Sequence, residues 1–215
     1  MNPSRSLSTL GDRAIYRLRY LNTRVGEVIP APSSRETKLR LVAITIETLN
    51  TWTNFSKAYY LSCCIGTRHG TWGPMQPVTP FVSINDSVGA VVTLYKPTAT
   101  PNAFGVWRRR DEPTWHDANV LLACCTRVGS SHLSDISAAL SIGTRVFIDL
   151  PVFRNFCAHK NQLSSAAAMQ LGPQYGIPAT LRPLEILMAR PLNTAYPLMM
   201  KWLYDLEVIV DLLCH

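Results

Sequence analysis

The run RETKLRLVAITIETLNTWTNFSKAYYLSCC, residues 35–64, contains neither glycine nor proline for about eight helical turns. Within it Leu39, Val42, Ile46, Leu49, Trp52 (or Thr53) and Phe55 recur at steps of three and four, the period of one helix face. Ser33 or Ser34 can cap the start, and Glu36 falls in the first turn, where an acid meets the positive helix end. The pattern predicts one long amphipathic helix. A helix of this length needs apolar partners along its side, so the rest of the chain must supply a helical scaffold.

Residues 1–34 are basic, end in VIPAPSS and read as an extended N-terminal arm. After the long helix, GTRHGTWGPMQPVTPF carries three glycines and three prolines and breaks all periodicity. Residues 66–113 read as an irregular insertion, with a short strand at VGAVVTLY, the loop KPTATPNAFG and the tract VWRRRDEP. Helical patterns resume with TWHDANVLLACCTRV, for which Thr114 is a plausible cap, and SSHLSDISAALSI. DLPVFRNFCAHKNQ, LSSAAAMQL, ATLRPLEILMAR and TAYPLMMKWLYDLEVIVDLLC complete the chain. The expected class is mainly α: a bundle of four or five helices over residues 35–215, interrupted by a partly β insertion.

Composition narrows the functional classes. The longest apolar runs, such as LVAITI, fall far short of the roughly 18 residues a membrane span requires. The polar start MNPSRSLSTLGDR has no apolar core of the kind a secretion signal needs. Six cysteines, two pairs of them adjacent in sequence, match neither a disulfide framework nor a zinc-ligand spacing. They read as small buried apolar side chains in a reducing, cytoplasmic setting with no membrane contact. Arginine supplies 16 of the 21 positive charges on a chain of net charge +7. Its rigid donor fork matches phosphate oxygens, so a polyanion is favoured among partners. No carboxylate cluster offers itself to a metal, and no cofactor is expected.

Arg154 and His159 stand five residues apart in FRNFCAH. The spacing alone decides nothing, because Arg127 and His132 repeat it across Gly129 and Arg110 and His116 approach it across Pro113. Only Arg154–His159 lies in an unbroken helical stretch. There Phe153, Phe156 and Cys157 share one face, while Asn155 and His159 project together from another. Arg154 lies about 140° from His159 and reaches round the helix on its long side chain. Two readings stay open: an ordinary solvated helix, or an Arg–Asn–His set presented along a groove.

FRNFCAH resembles the R-N-x3-H form of the R-x4-6-H signature of the HEPN (higher eukaryotes and prokaryotes nucleotide-binding) superfamily. The tracts ETLNTWTNFSKAYYLSC, EPTWHDANVLLACC and HLSDISAAL are similar to bacterial members in the same order. The resemblance covers about residues 36–65 and 112–170 and departs at Cys157 and Lys160, where an aromatic or larger residue and an arginine are the expected types. It implies a helical bundle and a metal-independent endoribonuclease acting as toxin or antiviral effector. The alternative reading, second to it, is a non-catalytic module that binds RNA, a nucleotide or a partner protein.

The residue types suit RNA cleavage. RNA brings its own nucleophile, the 2′-OH, so the protein must move protons and stabilise phosphate charge. His159 suits the first task near neutral pH, Arg154 the second, and Asn155 can orient either. The resemblance further implies a homodimer whose two motif helices form one composite site, and an antitoxin or regulatory protein as a further partner. Asn54 is the favoured cleft residue of the long helix, ahead of Glu47 and Asn50. Lys160 and the triplet Arg108, Arg109 and Arg110 are the candidate RNA contacts, with a solvated loop the simpler reading of the triplet.

Overall fold

The computed structural model describes residues 1–29, 34–77 and 81–215. Among these are nine α-helices and one two-stranded antiparallel sheet, so the fold is mainly α with a small β element. The chain divides into two compact units. The first comprises residues 1–14, 53–142 and 209–215, the second residues 15–52 and 143–208.

Helix α1 (Leu7–Val28) replaces the expected extended arm. Leu7, Leu10, Ala14, Leu18, Leu21, Val25 and Val28 are all buried, at steps of three and four. The arginines that made the segment look like an arm occupy the other face. Helix α2 (Arg35–Ile65) is the long helix, capped by Ser34, whose Oγ accepts from the Thr37 amide at 3.0 Å. Ser33 lies outside the described residues.

The buried face of α2 differs from the expected stripe. In its first half Leu41, Ile44, Thr45, Thr48 and Leu49 are buried, whereas Leu39 is 54% exposed and Val42 and Ile46 are half-buried. Thr45 and Thr48 turn their hydroxyls back onto the Leu41 and Ile44 carbonyls at 2.8 Å, which lets polar residues face the core. From Trp52 onward burial runs almost all round the helix, through Phe55, Ser56 and Ala58–Cys64. Apolar periodicity fades where a helix is surrounded, which is why the stripe was hard to phase from sequence.

In the first unit, β1 (Thr67–His69) pairs antiparallel with β2 (Gly73–Met75), Arg68 opposite Pro74. Residues 5 and 6 run beside β1: the Arg68 amide donates to the Arg5 carbonyl at 3.0 Å. The segment VGAVVTLY is not a strand but most of α3 (Ile84–Tyr95). Ser83 caps it through the Asp86 amide at 3.1 Å, and the buried Val88, Val91 and Val92 stand at helical spacing. Val92 and its neighbours raised β propensity locally, and the cap with tertiary burial overrode it. Helix α4 (Ala118–Arg127) is capped by Asp117, not Thr114, because residues 114–117 form a turn closed by the Asp117 amide on the Thr114 carbonyl. Helix α5 (Leu133–Leu140) completes this unit's helices. All six cysteines are free and buried.

The second unit carries α6 (Val146–His159), α7 (Gln162–Met169), α8 (Pro183–Met188) and most of α9 (Leu198–Cys214). Nine α-helices among the described residues stand against the expected four or five, and two of them, α1 and α3, come from segments the sequence patterns assigned to an arm and a strand. Among the described residues no helix is long and apolar enough to cross a membrane.

Candidate functional site

Helix α6 starts three residues before Asp149, so Pro151 lies inside it at the sixth position. Val146, Leu150, Phe153 and Cys157 form its buried face. Phe153 meets Trp202 edge-on, with ring centroids 5.5 Å apart, and Cys157 is buried beside Thr45. Burial pushes the Cys157 thiol up to about 11, so it stays protonated and packs as an apolar group. Phe156, expected on the same face, is only half-buried. Asp149 fixes the helix from inside: it takes two bonds from the Arg145 guanidinium, at 2.9 and 3.1 Å, and one from Tyr175.

The opposite face of α6 is open. Asn155 and His159 are exposed and Arg154 is half-buried. None of the three side chains makes a hydrogen bond or ion pair among the described residues. At about 100° per residue, Ile148, Val152, Asn155 and His159 fall within about 60° of arc, a stripe apolar at one end and polar at the other. Ile148 is 65% exposed. Immediately after His159 the chain turns: Lys160 adopts the left-handed conformation at φ 48°, its amide bonded to the Phe156 carbonyl at 2.8 Å. Asn161 then caps α7 through the Ser164 amide at 2.8 Å. His159 therefore stands at the last position of a helix that ends in a tight corner.

Beside this corner lies a groove of about 520 Å³ between α2, α6 and α8. Val42, Phe156 and Leu184 line its interior with Leu39, and Arg35, Lys38 and Lys160 supply its charge. No acidic residue lines it among the described residues. Lys160 is a candidate on sequence grounds, whereas Arg35 and Lys38 sit in a first helical turn that reads only as an exposed face. The available signal was the R-x-x-K spacing, which puts both on one side of α2.

Asn54 and the arginine triplet lie in the first unit. Asn54 is exposed on α2 and lines a cavity of about 640 Å³ together with Arg109. Lys57, Glu112, Trp115 and His116 share that lining. Glu112 bonds both the Lys57 ammonium at 2.7 Å and the Trp115 indole at 3.0 Å. Arg108 and Arg110 do not line it; the Arg110 carbonyl accepts from Lys96. The structure thus joins Asn54 with Arg109, while Arg154, Asn155, His159 and Lys160 gather in the second unit. Glu47 is engaged by Arg17 at 3.1 Å. The repeated spacings separate as the glycine and proline between them require: Arg127 ends α4, whereas His132 precedes α5 and stacks against Trp72.

Among the described residues no group of three or more His, Cys, Asp or Glu side chains is placed to hold a metal ion. Comparison of the chain with protein-family profiles, with curated proteins and with solved structures gives no match.

Proposed function

We propose that the protein is a metal-independent endoribonuclease of the HEPN type, acting as a toxin or defence effector, with Arg154, Asn155 and His159 as its reacting set. The observation that carries the reading is the state of those side chains. All three project from a helix anchored by Phe153, Cys157 and Asp149, and none is consumed by an internal bond among the described residues. Solvated side chains on a fixed scaffold are free to take a ligand from outside the chain. The uncompensated cations of the adjoining groove favour a polyanion.

In this reading a base takes the proton of the 2′-OH, the 2′-oxygen attacks phosphorus, and the P–O5′ bond breaks. The products are a 2′,3′-cyclic phosphate and a 5′-OH that receives a proton from an acid. Imidazole does either proton transfer near neutral pH, a contribution of about 10²–10⁴ in rate. The Arg154 guanidinium neutralises charge that develops on the non-bridging oxygens. One histidine cannot be acid and base in one step, and a second copy of the chain supplies the other. The stripe formed by Ile148, Val152, Asn155 and His159 supports that arrangement, since its apolar end offers a helix contact and its polar end then faces its counterpart.

The test is incubation of purified protein with RNA in EDTA, beside His159→Ala and Arg154→Ala. Cleavage that leaves cyclic phosphate ends and is lost in both variants supports the proposal. Salt-sensitive RNA binding without cleavage would replace it with a non-catalytic RNA-binding module.

A further inference from the structure

We propose that the groove between α2 and α6 holds an unpaired nucleotide adjacent to the phosphate presented to His159, its base against Phe156 and its phosphates on Arg35, Lys38 and Lys160. The inference rests on the ribonuclease reading and assigns that site a substrate requirement: the RNA must be single-stranded there.

The charge distribution of the second unit singles this groove out. Four of the arginines on α1 and α2 are balanced: Arg17 meets Glu47, Arg19 meets Glu207, Arg24 meets Glu27 and Arg40 meets Glu36. Arg35, Lys38 and Lys160 have no carboxylate partner among the described residues, and all three are exposed. Three unpaired cations around one groove make a local positive field that a phosphate chain neutralises. Arg35 is also the first residue of a 31-residue helix, whose positive end adds to the field.

The floor adds what a phosphate alone does not need. Phe156 and Val42 are half-buried, and Leu39 is 54% exposed, an apolar surface left open beside the cations. A groove of about 520 Å³ lies within the range of about 300–1,000 Å³ typical of small-ligand sites. An aromatic ring flanked by cations is the pairing that binds single strands, because every base has a π-face and every linkage a charge. Stacked, paired bases cannot offer that face. Phe156 and His159 are three residues apart, about 4.5 Å along the helix axis, so a base at Phe156 brings its own linkage to the histidine.

The test uses the full chain and an all-deoxy uridine decamer, which lacks the 2′-OH and is not cleaved. Binding is read by fluorescence anisotropy across a salt series. The charge-reversal pair Arg35→Glu, Lys38→Glu is expected to weaken binding at least tenfold and to lower the salt slope by about 1.4, two phosphate contacts at about 0.7 each. Phe156→Leu is expected to weaken the decamer by about fivefold or more, within the range of one stacked base, and to leave an abasic strand of the same length unaffected. Wild-type affinity and slope in the charge-reversal pair would overturn the proposal. So would equal binding of the abasic strand, or tighter binding of a polyglutamate peptide than of the decamer. Failure of the ribonuclease reading looks different: the decamer binds as described, yet RNA stays intact in EDTA. Conversely, RNA cleavage in EDTA with a KM unchanged by the charge-reversal pair sinks the groove and leaves the ribonuclease standing.

Discussion

The Tyr175 hydroxyl donates to Oδ2 of Asp149 over 2.6 Å, and Asp149 has no exposure to solvent. The indole of Trp202 in turn donates to the Tyr175 oxygen at 3.2 Å, so one chain of bonds runs from α9 through Tyr175 into the interior of α6. Burial, with the neighbouring carboxylate second, raises the Tyr175 phenol above its ordinary range and keeps it a donor. Arg145, bonded to the same carboxylate, is 47% exposed. The buried donor therefore matters more than the exposed cation, which water replaces. Tyr175→Phe is expected to lower unfolding free energy by about 1–3 kcal/mol, and Arg145→Met by less. Urea unfolding of both variants checks the order; the reverse order would mean the arginine, not the tyrosine, secures Asp149.

Ile148 tests the proposed two-fold contact without touching a polar group. It is 65% exposed, so Ile148→Glu leaves no cavity and is expected to shift stability by less than about 0.5 kcal/mol. In the proposed dimer the same change puts like charges face to face across the two-fold axis. Sedimentation should show dissociation to single chains, and RNA cleavage should fall with it. A variant that stays dimeric by sedimentation and cleaves normally would remove α6 from the interface.

Acid sensitivity is expected of the first unit through His69. Its Nδ1 accepts from the Thr71 and Trp72 amides, both at 3.0 Å, and its ring stacks on Trp72 with centroids 3.8 Å apart. Burial lowers its pKa from the ordinary 6.5, with His132 and His215 adding to the effect and the Leu212 carbonyl and Asp135 opposing it. The unfolded chain then binds the proton more readily than the folded one. The stabilisation is complete above about 6.5 and is lost as pH falls from there through the lowered folded value. Melting temperature should drop between pH 7.5 and 5, and His69→Gln should flatten that slope. An equal slope in the variant would place the acid sensitivity elsewhere.

The cysteines are expected to be inert in the folded protein. Burial raises Cys64 and Cys124 to about 12 and Cys157 to about 11, so thiolate is scarce near neutral pH, and all six side chains are closed to solvent. A disulfide reagent at pH 8 should label none of them before urea is added and all of them afterwards. Rapid labelling of any one in the native state would contradict the packing.

What the sequence disclosed and what it concealed have a common physical basis. The α6 segment was legible because Phe153 and Cys157 fall one turn apart while Asn155 and His159 do the same on another face. The α1 segment was not, although Leu7 through Val28 repeat the same spacing, because arginines on its outer face dominated its composition. VGAVVTLY misled in the opposite sense: β-branched residues favour strands in isolation, and the Ser83 cap and burial of Val91 decided otherwise. The groove cations were hidden for a third reason. Arg35 and Lys160 are 125 positions apart in sequence, and only the fold sets them on one surface.

The two units share their long helices: α1 changes unit after Ala14, α2 after Trp52 and α9 after Val208. Neither unit is an uninterrupted stretch of chain, and no single cut frees one whole. Truncation at residue 208 would take the seven-residue tail from a unit whose other parts end at residue 142. Dissection into independently expressed halves is thereby ruled out by connectivity. Grafting the α6 corner elsewhere would require carrying both flanks of the second unit, residues 15–52 and 143–208, joined by a new linker.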